Sequence, residues 1–184
     1  MSMPQMKDPN FSGTLTYICE HNEQGAMGIV INRPADIGLS ELLAQLDIDF
    51  TGNEQTVYAG GPVEQDRGFI LHGSKLEAAD LEEASEQLAW QSSLQITDEI
   101  NLTTSKDILS AIADGSGPKD YVIALGYAGW GNGQLEQELA ENTWLCCPAN
   151  TEILFHQNND KKMSLAMAII GVDPSQLNGQ IGHA

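Results

Sequence analysis

The sequence predicts one domain in which short strands and helices are interspersed, and three observations carry that expectation. The chain has 184 residues, within the roughly 100–200 common for a single domain, and 41% of them are hydrophobic, enough to build one core. Two pairs of strand-like runs flank turn formers, at 14–31 and 94–103. Several other stretches repeat apolar residues at helical spacing. No linker, internal repeat or low-complexity tract divides the chain, so the domain is taken as 1–184, with an irregular, turn-rich tail from 172 onward.

Thr14 to Cys19 alternates Leu15, Tyr17 and Cys19 on one side and reads as a strand, as does Ala26 to Ile31. Asn22 and Gly25 between them favour a reversal and hence an antiparallel hairpin, which Pro34 ends. Leu39, Leu42, Leu43 and Leu46 share one face of a short amphipathic helix. Val57–Ala59 and Gly68–Leu71 are short strands bounded by Gly60-Gly61-Pro62 and Asp66-Arg67. The acidic, Ala- and Leu-rich stretch from Lys75 to Trp90 predicts an exposed helix. Leu94–Thr97 and Ile100–Thr103 form a second candidate hairpin. A helix over 105–113 follows it, with Thr104-Ser105-Lys106-Asp107 as the capping hydroxyl and first-turn acid, and stops at Gly115 to Pro118. Tyr121 to Leu125 is apolar without alternation, as a strand buried on both faces is. Beyond it, 134–141 reads as a helix, 144–146 and 152–155 as strands, and 160–170 as a last helix with Met163, Met167 and Ile170 along its apolar stripe.

Charge and cysteines narrow the function classes. Eight basic against 26 acidic residues give a formal charge of −18, which repels phosphate backbones and anionic lipid, so direct nucleic-acid binding is not expected. Only Lys161 and Lys162 are neighbouring bases. The acidity fits solubility or a basic protein partner. No stretch approaches the roughly 20 apolar residues of a membrane span. Met1 to Phe11 lacks the basic start and apolar run of a signal peptide, so a cytoplasmic location is expected. Three cysteines, two of them the adjacent Cys146 and Cys147, fit reduced thiols in that compartment.

The most informative run is Leu125 to Glu138, which joins the apolar strand to a helix through four glycines bracketing Tyr127 and Trp130. It predicts a sharp backbone turn braced by two amphipathic rings at a helix start. That run, with Asp8-Pro-Asn-Phe11, Gly25 to Pro34, Gly60-Gly-Pro-Val63, Asp66 to His72, Leu102 to Asp107 and Ile170-Gly-Val-Asp173, resembles the AlgH/YqgE family of bacterial proteins in order and spacing along nearly the whole chain. The resemblance implies a single α+β domain whose forked, bent, mostly antiparallel sheet closes towards a pseudo-barrel with helices outside. Some members of that family are called transcriptional regulators, and no enzyme activity, cofactor or nucleic-acid site comes with the resemblance. Two departures stand out: the chain begins almost at Met3-Pro4, so the resemblance leads one to expect a first strand missing or shortened, and the acidic stretch 75–91 looks longer than the family norm.

Cys19 and His21, two apart, would project to one side of a strand and, with His72, could form a thiol enzyme or small hydrolase. No metal-ligand spacing accompanies them, and a structural strand end outweighs catalysis. Tyr127, Trp130 and Gln134 at the glycine-rich run are candidate contacts for a neutral or cationic ligand, and tight packing there is the competing role. Arg67 could hold a carboxylate, more naturally one of the protein's own. The run lacks the order of a phosphate loop, and Glu136 and Glu138 oppose an anion. The expectation is a cytosolic, non-enzymatic binding or regulatory protein without cofactor or metal, acting through a protein partner or small ligand.

Overall fold

Alternation along one long strand organises the molecule, which is a computed structural model describing residues 1–73 and 90–173. Its strands are β1 (Thr16–Asn22), β2 (Gly25–Val30), β3 (Pro34–Gly38), β4 (Thr56–Ala59), β5 (Val63–Gly73), β6 (Ser93–Gln95), β7 (Ile100–Thr103) and β8 (Tyr121–Gly131). The helices are α1 (Leu39–Gln45), α2 (Lys106–Asp114), α3 (Gln134–Ala140), α4 (Thr151–Phe155) and α5 (Asn159–Ile169). The sheet runs β1-β2-β8-β5-β7-β6, with β4 also beside β8 and β3 beside β4. Every pairing is antiparallel except β4 with β8. The result is a mixed α+β fold with a curled half-barrel sheet, and the two predicted hairpins, β1–β2 and β6–β7, are present.

The fork lies on β8. One edge of that strand pairs β5 between Tyr121 and Tyr127, with an irregularity between Val63 and Gly68, while the other pairs β4 at 123–125 and then β2 at 128–131. Gly60 bridges the change, donating to the Leu125 carbonyl at 2.8 Å and accepting from the Val30 amide at 2.9 Å. Two glycines allow this crowding. Gly126 has φ +73, and a Cβ on Gly61 would stand 2.1 Å from the Tyr127 carbonyl carbon, closer than any real side chain approaches. The expected sharp turn after Leu125 is therefore corrected: β8 kinks at Gly126 but keeps its ladder to Gly131, and the chain reverses only at Asn132-Gly133, where Gly133 has φ +72.

Side chains from β8 face two layers. Val122 and Ala124 join Leu15, Ile29, Leu71 and Leu154 in the largest cluster, under α4 and α5, whereas Ile123 meets Val57, Ile70, Leu39 and Ile108 under α1 and α2. Both faces are covered, as the unalternating run predicted. Leu39 and Leu43 are fully buried, each contributing about 1.5–3 kcal/mol relative to an exposed side chain.

Three local expectations need correction, and one strand is added. The stretch 152–155 is helix α4, because the Asn150 side chain accepts from the Ile153 amide at 3.0 Å and starts a helical turn. Residues 144–146 make only an isolated bridge, Trp144 with Ser2. The first hairpin ends before Pro34 as expected, and Pro34 opens a strand absent from the sequence expectation, β3, which pairs β4. At α2, Ser105 makes no cap bond to the backbone; its hydroxyl donates to Asp107, whose other oxygen accepts from the Gln91 amide. The acidic helix predicted over 75–90 lies outside the described residues up to 89, as does the tail from 174.

Candidate ligand-binding site

Strand alternation separates the aromatic pair. Tyr127 and Trp130 are three apart on β8, so they project from opposite faces. Trp130 joins Ala26, Ala128, Leu135 and Trp144 beneath α3. Its ring lies 6.1 Å from Phe11, near-parallel, and 5.6 Å from Trp144, edge-on. Glu138 ties this cluster together: one carboxylate oxygen accepts the indole N–H of Trp130 at 3.0 Å and that of Trp144 at 2.7 Å. Gln134 donates to the other oxygen at 2.8 Å and accepts from the Gly131 amide at 3.0 Å, closing the end of β8. Four residues apart on α3, Gln134 and Glu138 lie on one helix face and reach back to the strand together.

Tyr127 and Arg67 meet elsewhere, in a groove at the fork. The Tyr127 ring stands 5.3 Å from Phe69, and the Arg67 guanidinium lies 5.5 Å over that same Phe69 ring. Arg67 holds one of the protein's own carboxylates, Glu64 at 3.1 Å, and donates its other nitrogen to Thr104 at 3.1 Å. Of the four proposed contact residues, the structure thus brings together Trp130 with Gln134, and Tyr127 with Arg67, at two places.

Cys19, His21 and His72 each have separate partners. A bulge between Ile18 and Glu20 breaks the alternation that would have aligned Cys19 with His21. Cys19 is buried, and burial pushes its thiol up to about 12, away from the thiolate a nucleophile needs. His21, half exposed, faces Glu136 at 2.6 Å. His72 is buried between β5 and β7, with Nδ1 3.0 Å from the Gly73 carbonyl and Nε2 2.9 Å from Thr103 Oγ1. Burial lowers its basicity, so it stays neutral at pH 7. Among the described residues, no group of three or more His, Cys, Asp or Glu is placed to hold a metal ion, and no helix is long and apolar enough to cross a membrane.

The concavity with the most apolar lining has no signature in the sequence. A cavity of about 310 Å³ lies along edge strand β1, between α3, the segment 144–150 and helices α4 and α5. Trp130, Trp144, Leu135 and Leu139 line one part of it, and Leu15, Ile31, Leu154 and Ala166 another. Behind the second wall sits Lys162, which reads in the sequence only as one of two neighbouring bases, not as a buried residue. Lys162 is 1% exposed and donates to the carbonyls of Ile31 at 3.0 Å and Leu154 at 3.1 Å and to the Tyr58 hydroxyl at 3.3 Å. Tyr58 in turn donates to Asn159 at 2.8 Å. These partners are neutral oxygens, and burial pushes the lysine down to about 8. Its place one turn before Ala166 on α5 is the only sequence signal that could have revealed it.

The curled, forked sheet with its flanking helices and aromatic corner defines an AlgH-type α+β domain. The chain belongs to the AlgH-like family, whose model matches residues 1–175. It is 49% identical over 184 residues to a UPF0301 protein of Hahella chejuensis and 50% identical over 186 residues to one of Thioalkalivibrio sulfidiphilus, covering all of this chain and 93% and 94% of those proteins. Its fold matches the solution structure of the AlgH protein from Pseudomonas aeruginosa with a TM-score of 0.76 at 48% identity, over all of this chain and 93% of that one. Protein DIP2367 from Corynebacterium diphtheriae, 19% identical, shares the fold with a TM-score of 0.67 over 96% of this chain and 86% of its own.

Proposed function

We propose that this chain is a cytoplasmic binding protein, without catalysis of its own, that works by holding a small ligand in the cavity walled by Trp130 and Trp144. The observation that carries this reading is the cavity itself: about 310 Å³, at the lower end of the roughly 300–1,000 Å³ of small-molecule sites, and lined mainly by apolar side chains. The separate partners of Cys19, His21 and His72 leave no nucleophile and base in contact, which favours binding over chemistry.

A second route, through a basic protein partner, is favoured by the −18 charge. The same charge argues against nucleic acid. So does the placement of the bases: Lys162 is buried, and Arg33 is spent on the carbonyls of Pro9, Asn10 and Ser12.

The test is to fill the cavity. Ala166→Leu adds three carbons to a wall position that is 1% exposed. In a thermal-shift screen of neutral aromatic and aliphatic compounds, the unaltered protein should be stabilised by a subset, and the folded Ala166→Leu protein by none of that subset. Stabilisation that survives the substitution would move the ligand site elsewhere.

A further inference from the structure

The groove at the fork, where Tyr127 and Arg67 meet, is a second concavity of about 410 Å³, a volume suited to a small molecule. It shares no lining residue with the cavity of Trp130 and Trp144. An irregularity in β5 brings its charges together. Along a regular strand, residues three apart project to opposite faces, yet Glu64 and Arg67 form an ion pair at 3.1 Å. The β5–β8 register shifts between Val63 and Gly68, and within that shift Glu64 sits at φ +49, a left-handed conformation unfavourable for any residue but glycine. Both partners of the pair are about half exposed, and exposed pairs contribute little to stability, so stability alone does not account for the strain. Bulges and strained residues of this kind recur beside binding sites, where they re-aim a side chain.

Neither charge is used up. Of the five guanidinium N–H groups, Arg67 donates one to Glu64 and one to Thr104, and Glu64 accepts with Oε2 alone; the others have no partner among the described residues. The Ser92 hydroxyl stands 3.0 Å from that of Thr104, beside the guanidinium. The rest of the groove is apolar. Phe69 lies under Arg67 and edge-on to Tyr127, and Leu94, the most exposed of the large hydrophobic side chains described, lines the same groove. An apolar group laid there would take Leu94 out of water.

These features select by charge. A lone anion at Arg67 would stand against Glu64 in a protein of charge −18, and a lone cation at Glu64 would stand against Arg67. A molecule carrying both charges close together leaves every charge paired. We propose that this groove binds a free α-amino acid with an apolar side chain. Its carboxylate meets Arg67 and the hydroxyls of Ser92 and Thr104, its ammonium meets Glu64, and its side chain covers Phe69 and Leu94. The site is separate from the cavity of Trp130 and stands or falls independently of it.

The experiment is calorimetric titration of the full chain at pH 7 and low salt with L-leucine, L-phenylalanine and glycine. Two analogues of the tighter binder follow, one lacking the ammonium and one lacking the carboxylate. The tighter amino acid should bind at least about tenfold more strongly than glycine or either analogue, the effect of one hydrogen bond between charged groups. Glu64→Gln should reduce the discrimination against the analogue without ammonium to about twofold or less, and Arg67→Gln should do the same for the analogue without carboxylate. A merely structural role would weaken all ligands alike and leave both ratios unchanged, and that result would overturn the proposal. So would the absence of binding by both apolar amino acids, or a single-charge analogue binding the unaltered protein as tightly as the amino acid, comparisons that need no variant to fold. Glycine binding equally well would overturn the apolar side chain.

Discussion

Lys162 offers the sharpest energetic test of the structure. In an unfolded chain its ammonium titrates near 10.5, but burial among neutral oxygens lowers it to about 8 in the folded protein. The folded state therefore holds its proton less tightly than the unfolded state. Between the two values the unfolded chain binds more protons, so the stability linked to this group rises with pH across that window and is lost as pH falls through 8. Carrying the two constants through the linkage relation gives about 2 kcal/mol gained between pH 7 and 9.5, or roughly 4–8 °C in melting temperature for a chain of this size.

Tyrosines and thiols also titrate at alkaline pH, and burial raises Tyr17, Tyr58 and Tyr121 above their ordinary value, which acts in the opposite direction. The comparison must accordingly be a difference between the unaltered protein and Lys162→Met, each unfolded by urea at both pH values. Methionine, one atom shorter, keeps most of the apolar stem but has no proton to exchange, while the carbonyls of Ile31 and Leu154 lose a donor. The net effect at one pH is a balance of opposing terms; the change in that effect with pH isolates the proton. If the stability difference between the two proteins is the same at pH 7 and 9.5 within about 0.5 kcal/mol, the lysine is solvated in solution and the packing of α5 on the sheet is wrong.

Two further outcomes follow from the corner and the core. Glu138→Ala strands two indole N–H groups in a cluster where Trp130 and Trp144 are each 6% exposed, and should destabilise the protein by about 2–4 kcal/mol in urea melts; a change under about 0.5 kcal/mol would show that water replaces the carboxylate freely. With iodoacetamide at pH 7.5, exposed Cys146 should react first and Cys19, buried and raised to about 12, only on unfolding, as read by peptide mass spectrometry; early modification of Cys19 would reinstate a reactive thiol.

Much of the fold was legible because it rests on periodicity. The leucines of α1 and the strands of the first hairpin repeat with a helical and a strand period, and the unbroken apolar run entering β8 marks a strand covered on both faces. Short elements were misread where length removes periodicity. Glu152 to Phe155 is too brief to separate strand from helix by pattern, and the deciding signal was the Asn150 cap ahead of it. The first half of β5, Val63 to Arg67, is polar and largely exposed, so no burial pattern marked it as strand.

The candidate site was legible only in part, and the reason is geometric. A glycine-rich run suggests that the backbone turns, but in β8 Gly126 serves close approach, keeping a side chain out of the fork where Gly60 and Gly61 press against residues 126–128. Once the strand runs on through Gly131, alternation forces Tyr127 to one face and Trp130 to the other, and a niche built from both rings becomes impossible. The same alternation places Trp130 over α3 with Trp144, a residue fourteen positions away, and the cavity beside them is closed by α4 and α5 from further along still. A cavity formed by such distant segments leaves no local motif in the sequence. What it does leave is chemical: a strand threonine with an unsatisfied hydroxyl and a helix lysine buried on the wrong face, each an exception to its local pattern and each at or behind the same wall.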